Sequence, residues 1–141
     1  MSLPLEGFAG FKFGASIEDL KKRFKGLVDV SEQEPVGYRR FASPDGNGRT
    51  IELFFHNNSL FMGRILYRNI SRNDIKRTIE QEFGPVFEQT ELGDVWDYST
   101  DLGISLTKGE TEFDCLYYVR REFYPYLDEV KKANKRKGAL K

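Results

Sequence analysis

Ser16-Ile17-Glu18-Asp19-Leu20-Lys21-Lys22 and Ser71-Arg72-Asn73-Asp74-Ile75-Lys76-Arg77 are one pattern written twice, 55 residues apart. In each, a serine able to cap a helix stands three residues before an aspartate, which resembles a capping box with Asp in place of the usual Glu. After the first serine, Ile17, Leu20, Phe24 and Leu27 recur at spacings of three, four and three. After the second, Ile75, Ile79 and Phe83 recur every four. Both spacings gather apolar side chains on one helical face. Gly84-Pro85 then ends the second helix, because Gly accepts the C-terminal turn and Pro cannot extend it.

The segments downstream of the two helices are also alike. Tyr38–Phe41, Ile51–Phe55 and Leu60–Tyr67 come after the first; Val95–Ser99, Ile104–Thr107 and Phe113–Glu122 come after the second. Their β-branched and aromatic content, set between turn clusters, predicts strands. Ile51-Glu52-Leu53 and Ile104-Ser105-Leu106 share an apolar, polar, apolar beat. Ser43-Pro44-Asp45-Gly46-Asn47-Gly48 predicts a loop, and Asn57-Asn58 a tight hairpin, since Asn tolerates positive φ. Asp101-Leu102-Gly103 and Lys108-Gly109-Glu110 are the matching turns of the second half. Val28–Val30 and Val86–Gln89 each suit an added edge strand.

The fold class that results is α+β: a helix plus an antiparallel three- or four-stranded meander, duplicated, with a C-terminal helix. Residues 1–141 form one domain, with repeats over about 10–68 and 69–123 and the last helix within 124–137. That helix is expected from Pro125 to about Lys135, with Leu127 and Val130 inward and Pro125 in its first turn, where no N–H is needed. Helices then cover one side of the sheet; the other is open, or is covered as well or buried in a dimer.

Composition fits this picture. A chain of 141 residues with 39% hydrophobic and 14% aromatic content can bury a core. Mean hydropathy is −0.56 and no run of about 18 apolar residues exists, so no membrane span is expected. Lys+Arg and Asp+Glu both number 22, which argues against a globally basic nucleic-acid binder. Charge is segregated along the chain: net +2 over 1–70, −6 over 71–123 and +4 over 124–141. The single cysteine, Cys115, permits no internal disulfide. With no secretory signal in the first residues, the reading is cytoplasmic, or periplasmic or exported if a leader has been removed.

The segment Gly10-Phe11-Lys12-Phe13-Gly14-Ala15-Ser16, a short helix and a strand meander together resemble the β-lactamase-inhibitor-protein-like (BLIP-like) fold. Phe83-Gly84-Pro85, Asp94-Val95-Trp96-Asp97-Tyr98 and Ile104-Ser105-Leu106 resemble the SmpA/OmlA lipoprotein module. The resemblance covers most of residues 10–122. It implies a tandem module that binds other proteins and carries no catalytic motif.

The chemistry-bearing residues read the same way. His56 could serve as a base or a ligand, but it adjoins a hairpin turn and no second histidine exists to share a metal. Cys115 could be a nucleophile, yet no base neighbours it in sequence; a buried thiol acting as a small hydrophobe is the simpler reading. Asp94, Asp97 and Asp101 flank a strand and turn without the spacing of a calcium loop, which suits solvated surface. Gly7, Gly10 and Gly14 lack the spacing of a dinucleotide fingerprint and suit tight turning. The tail Lys131-Lys132-Ala133-Asn134-Lys135-Arg136-Lys137 suits the negative end of a helix dipole and has no interleaved aromatic for nucleic acid. No enzyme activity, cofactor or metal is therefore expected.

Twenty aromatic residues remain the distinctive feature. Phe54, Phe61, Tyr67 and Tyr118 fall on strands that are apolar on both faces. An open sheet face would expose them beside Arg39, Arg64 and Arg120, and such residues are enriched at protein interfaces. The expected function is a non-catalytic binding module holding a protein partner, or a second copy as a homodimer, on that face. The alternatives are a small-ligand binder or enzyme with a pocket between helix and sheet, and single-stranded nucleic acid on the sheet.

Overall fold

The computed structural model describes residues 7–9, 11–24, 26–44, 49–84, 88–90, 93–97, 102–108 and 112–139. A two-stranded hairpin, β1 (Gly7–Phe8) and β2 (Phe11–Lys12), leads into α1 (Ile17–Arg23). The first meander is β3 (Val28–Asp29), β4 (Tyr38–Pro44), β5 (Arg49–His56) and β6 (Ser59–Arg68), with a 3₁₀ turn over Ser31–Gln33. Then come α2 (Arg72–Phe83) and the second meander: β7 (Glu88–Thr90), β8 (Gly93–Asp97), β9 (Leu102–Lys108) and β10 (Glu112–Val119). The chain ends in α3 (Arg120–Ala139). The class is α+β with an antiparallel sheet, and each repeat contributes four strands.

The two meanders form one continuous eight-stranded sheet in the order β3-β4-β5-β6-β10-β9-β8-β7. The last strand of each repeat pairs with the other, antiparallel, from Arg68↔Glu112 to Met62↔Tyr118. The repeats are thus related by an approximate twofold through the β6–β10 seam, and the short strands β3 and β7 become the outer edges.

The duplicated helix starts take the same form. Ser16 and Ser71 both sit in extended backbone, and each Oγ accepts the N–H of the aspartate three residues on, at 3.2 Å in both. Gly84, at φ +88°, closes α2 with its N–H on the Glu80 carbonyl. The first helix is shorter than its apolar pattern predicts: Phe24 is its C-cap, in extended backbone, and Leu27 lies beyond. Phe24 is only partly buried and packs on Phe11, with ring centroids 5.8 Å apart. The Phe83 side chain lies outside the described residues.

The core is two layers, one on each side of the sheet. On the first face, Leu53, Phe55, Ile104, Leu106, Cys115 and Tyr117 meet Ile17 and Leu20 of α1, and Ile75 and Ile79 of α2. Ile51 also packs here, so the shared beat of Ile51-Glu52-Leu53 and Ile104-Ser105-Leu106 places equivalent apolar side chains in one layer. Phe8 completes it by lying against Gly63, where a Cβ would fall 2.0 Å from its ring. A register shift at Phe54/Phe55 makes Leu60, not Phe61, oppose Phe55. That bulge turns Leu60 to the first face and both Phe61 and Met62 to the second, breaking simple alternation.

Candidate functional site

The second face is not open. Successive strands bring Arg40, Phe54, Met62, Tyr118 and Gly103 into one row across the sheet. Over that row lies α3, which begins directly after β10 and contributes Phe123, Tyr126, Leu127 and Val130 at helical spacing. Phe123 stacks on Tyr118 at 4.1 Å between centroids. Tyr126 meets Tyr38, Phe54 and Phe61 at 5.0, 5.8 and 5.5 Å. Its hydroxyl donates to Glu34 Oε2 at 2.8 Å, and burial followed by that carboxylate pushes its pKa up. Phe54, Phe61 and Tyr118 are consequently 2%, 0% and 1% exposed.

This corrects the expectation of an aromatic face open to a partner. The chain fills it with its own last helix, which starts five residues before Pro125 rather than at it. The physical reason is that Tyr118 and Phe54 form a flat apolar strip, and an adjoining helix with anchors at i, i+3, i+4 and i+7 covers it without a loop.

The seven residues expected to form one patch are divided between the two faces. Tyr67 is buried in the first-face core, where burial and then Cys115 push its hydroxyl up to about 12. Arg39 is also on the first side, its NH2 2.6 Å from Asp29 Oδ2 and its guanidinium over Phe41. The hydroxyl of Ser31, and then Arg39, hold the Asp29 carboxyl down at about 2. Arg64 is on the second face, with Nε and NH2 at 2.6 and 2.5 Å from Glu52 Oε1. Arg40 lies beside it, with Nε 3.5 Å from Glu52 Oε2 and 3.4 Å from Glu34 Oε1, and both guanidiniums sit over Phe54. Arg120 is the first residue of α3, half-buried. The Glu52 cluster escaped the sequence reading; its only trace there was a polar residue at the centre of an apolar strand.

The remaining candidates are settled by position. Cys115 is fully buried and shares a side-chain hydrogen bond with Tyr117; burial pushes its thiol up to about 12, so no thiolate forms near neutrality. His56 ends β5 and stacks on Tyr38 at 4.3 Å. Gly7 is held by the β1–β2 pairing, and Gly14, at φ +98°, donates its N–H to the Leu60 carbonyl. Gly10 and Asp101 lie outside the described residues, as do the side chains of Asp94 and Asp97. Lys131 and Lys132 are exposed on α3, and the side chains from Asn134 onward are outside the described residues. Among the described residues no group of three or more His, Cys, Asp or Glu side chains could hold a metal ion, and no helix is long and apolar enough to cross a membrane.

A cleft of about 610 Å³ lies between α1 and the sheet, lined by Ile17, Glu18, Lys21, Gly37, Tyr38, Arg39, Phe55, Asn57 and Asn58. The two asparagines form the β5–β6 turn, at φ +49° and +64°, as their sequence predicts. Asn58 Oδ1 accepts the Ile17 N–H at 2.9 Å and so ties the turn to the start of α1. Gly37, at φ +90°, lies across from His56 and turns the chain into β4. Immediately before it, Val36 is fully exposed at 101%. The cleft is open rather than enclosed, with an apolar floor and a polar rim. Such a surface can hold an inserted side chain and bond its flanking backbone; it presents no nucleophile paired with a base. Compared with protein-family models, with curated proteins and with solved structures, the chain matches none.

Proposed function

We propose that this chain is a non-catalytic binding module that holds a protein partner against its first repeat, in the cleft beside α1. The carrying observation is an open cleft floored by Phe55 and rimmed by Lys21, Arg39 and Asn57, with the fully exposed Val36 next in the chain to Gly37 of its lining. An exposed apolar residue beside an apolar floor and a polar rim has the anatomy of an interface. The BLIP-like resemblance supports the same class. The aromatic strip that a single-stranded nucleic acid would stack on lies under α3.

The test is affinity capture from the source organism after nuclease treatment. One stoichiometric protein, held in moderate salt and released by Val36→Glu but not by Tyr124→Ser on the outer face of α3, is the expected result. Retention by Val36→Glu and release by Tyr124→Ser would place the interface elsewhere. The volume of about 610 Å³ also lies in the range of small-molecule pockets, which favours a small-ligand binder as the second reading. A thermal-shift screen of metabolites separates the two: a single compound raising the melting temperature, and losing that effect in Lys21→Ala, would support the ligand.

A further inference from the structure

A second cleft, of about 470 Å³, borders the opposite flank of α1, between the helix and the β1–β2 hairpin; it is lined by Phe11, Lys12, Ala15, Asp19, Lys22 and Arg23. The two clefts together present five cations (Lys12, Lys21, Lys22, Arg23 and Arg39) against the two carboxylates Glu18 and Asp19. The chain as a whole is neutral, so this excess is local. Arg39 is already matched by Asp29, and Arg23 lies over the Phe11 ring. Lys12, Lys21 and Lys22 are exposed and make no ion pair among the described residues.

The helix dipole accounts for only part of this. Lys21, Lys22 and Arg23 fall in the last turn of α1, where cations are favoured. Lys12 is on β2 and Arg39 on β4, outside the helix, yet they face the same two clefts. Seven residues of helix span only about 10 Å, at roughly 1.5 Å per residue. One extended segment of about eight residues, at roughly 3.3 Å each, is long enough to cross the helix from one cleft to the other.

Resting on the reading of this flank as a docking surface, we infer that its occupant is an acidic, extended segment of a protein partner. Its carboxylates lie against Lys12, Lys21 and Lys22, and an apolar side chain enters toward Phe55 or Phe11. Charge complementarity selects the acidic partner. Single-stranded nucleic acid is disfavoured because Phe11 and Phe55 are buried floors with no exposed ring for a base.

The experiment is fluorescence anisotropy on the full chain with three labelled probes: a nine-residue peptide of alternating Glu and Val, its counterpart with Lys for Glu, and a nine-nucleotide single-stranded DNA. The Glu peptide should bind and weaken as salt is raised, and a Lys21→Glu/Lys22→Glu variant should bind it about tenfold more weakly or worse. Lys12→Glu should weaken it too, although Lys12 is not on the helix. All three positions are exposed, so unchanged melting temperatures confirm folded variants. Equal binding of the Glu peptide by wild type and charge-reversed protein overturns the inference. So does preference for the DNA, or for the Lys peptide. Concentration-dependent self-association in sedimentation, abolished by the same charge reversals, would make a second copy the occupant and overturn it as well. Should the Glu peptide fail while a captured partner is still released by Val36→Glu, the acidic chemistry is wrong and the docking surface stands.

Discussion

Glu52 sits where the two halves of the sequence diverge. Its counterpart, Ser105, needs no counter-ion, whereas Glu52 is buried and depends on Arg40 and Arg64. Glu52→Ala should cost about 2–3 kcal/mol, less than the 3–5 of a fully buried pair, because the two guanidiniums keep 21% and 24% of their side-chain exposure. Urea melts of Glu52→Ala and of the Glu52→Ala/Arg64→Met double variant check this; the second change should recover part of the loss. Asp29 supplies a pH readout. Its carboxyl is held at about 2 in the fold against about 3.9 in an unfolded chain. The folded state therefore gains stability that is present above about pH 4 and is lost as pH falls toward 2. The gain is small, because the pair is exposed. NMR titration should place the Asp29 midpoint near 2 and show it rising in both Ser31→Ala and Arg39→Ala.

At the scale of elements, much was legible. Caps, strands and turns depend on local chemistry, so Ser16, Ser71, Gly84 and Asn57-Asn58 revealed themselves. The strands expected at Tyr38–Phe41, Ile51–Phe55 and Leu60–Tyr67 lie within β4, β5 and β6. What the sequence concealed was where α3 begins and that it covers the second face of the sheet. The expected strand ran on to Glu122, past Arg120 where α3 begins, because nothing local marks where strand becomes helix. With the helix start misplaced, the sheet read as uncovered, and the expected site inherited that error. The cleft beside α1 was hidden for a different reason: Lys21, Arg39 and Asn57 come from three elements, and only tertiary packing juxtaposes them. The helix now carries a graded prediction. Phe123→Ala should cost about 3–5 kcal/mol, since this α3 ring is buried against Tyr118 of the sheet. Phe24→Ala should cost about 2 kcal/mol, because Phe24 is only partly buried. Thermal melts in the reverse order would contradict the packing described for α3.

For the whole molecule, the β6–β10 seam decides cooperativity. One sheet runs through both repeats, and Tyr117 and Cys115 of β10 share a core with Leu53 and Phe55 of β5. The repeats should therefore unfold together. Trp96, the single tryptophan, reports the second repeat. Its fluorescence in urea should trace the same transition as far-UV circular dichroism. Separated midpoints would mean that each repeat melts by itself and that the seam couples them weakly. Cys115 offers a second probe. It should resist a thiol reagent at pH 8 until the sheet opens, and then react at the global unfolding rate.

The seam also sets a timetable for the nascent chain. Strand β6 is complete at Arg68, but the strand it pairs with ends only at Val119, about fifty residues later. At a ribosomal pace of roughly 5–20 residues per second, the first repeat waits on the order of several seconds with one long strand edge unpaired. Phe54, Phe61 and Met62 wait longer, since α3 emerges only after β10. Translation thus holds open an aromatic surface that the finished molecule never shows. During that interval the half-made sheet is a target for chaperones and, on crowded polysomes, for the edges of its own siblings.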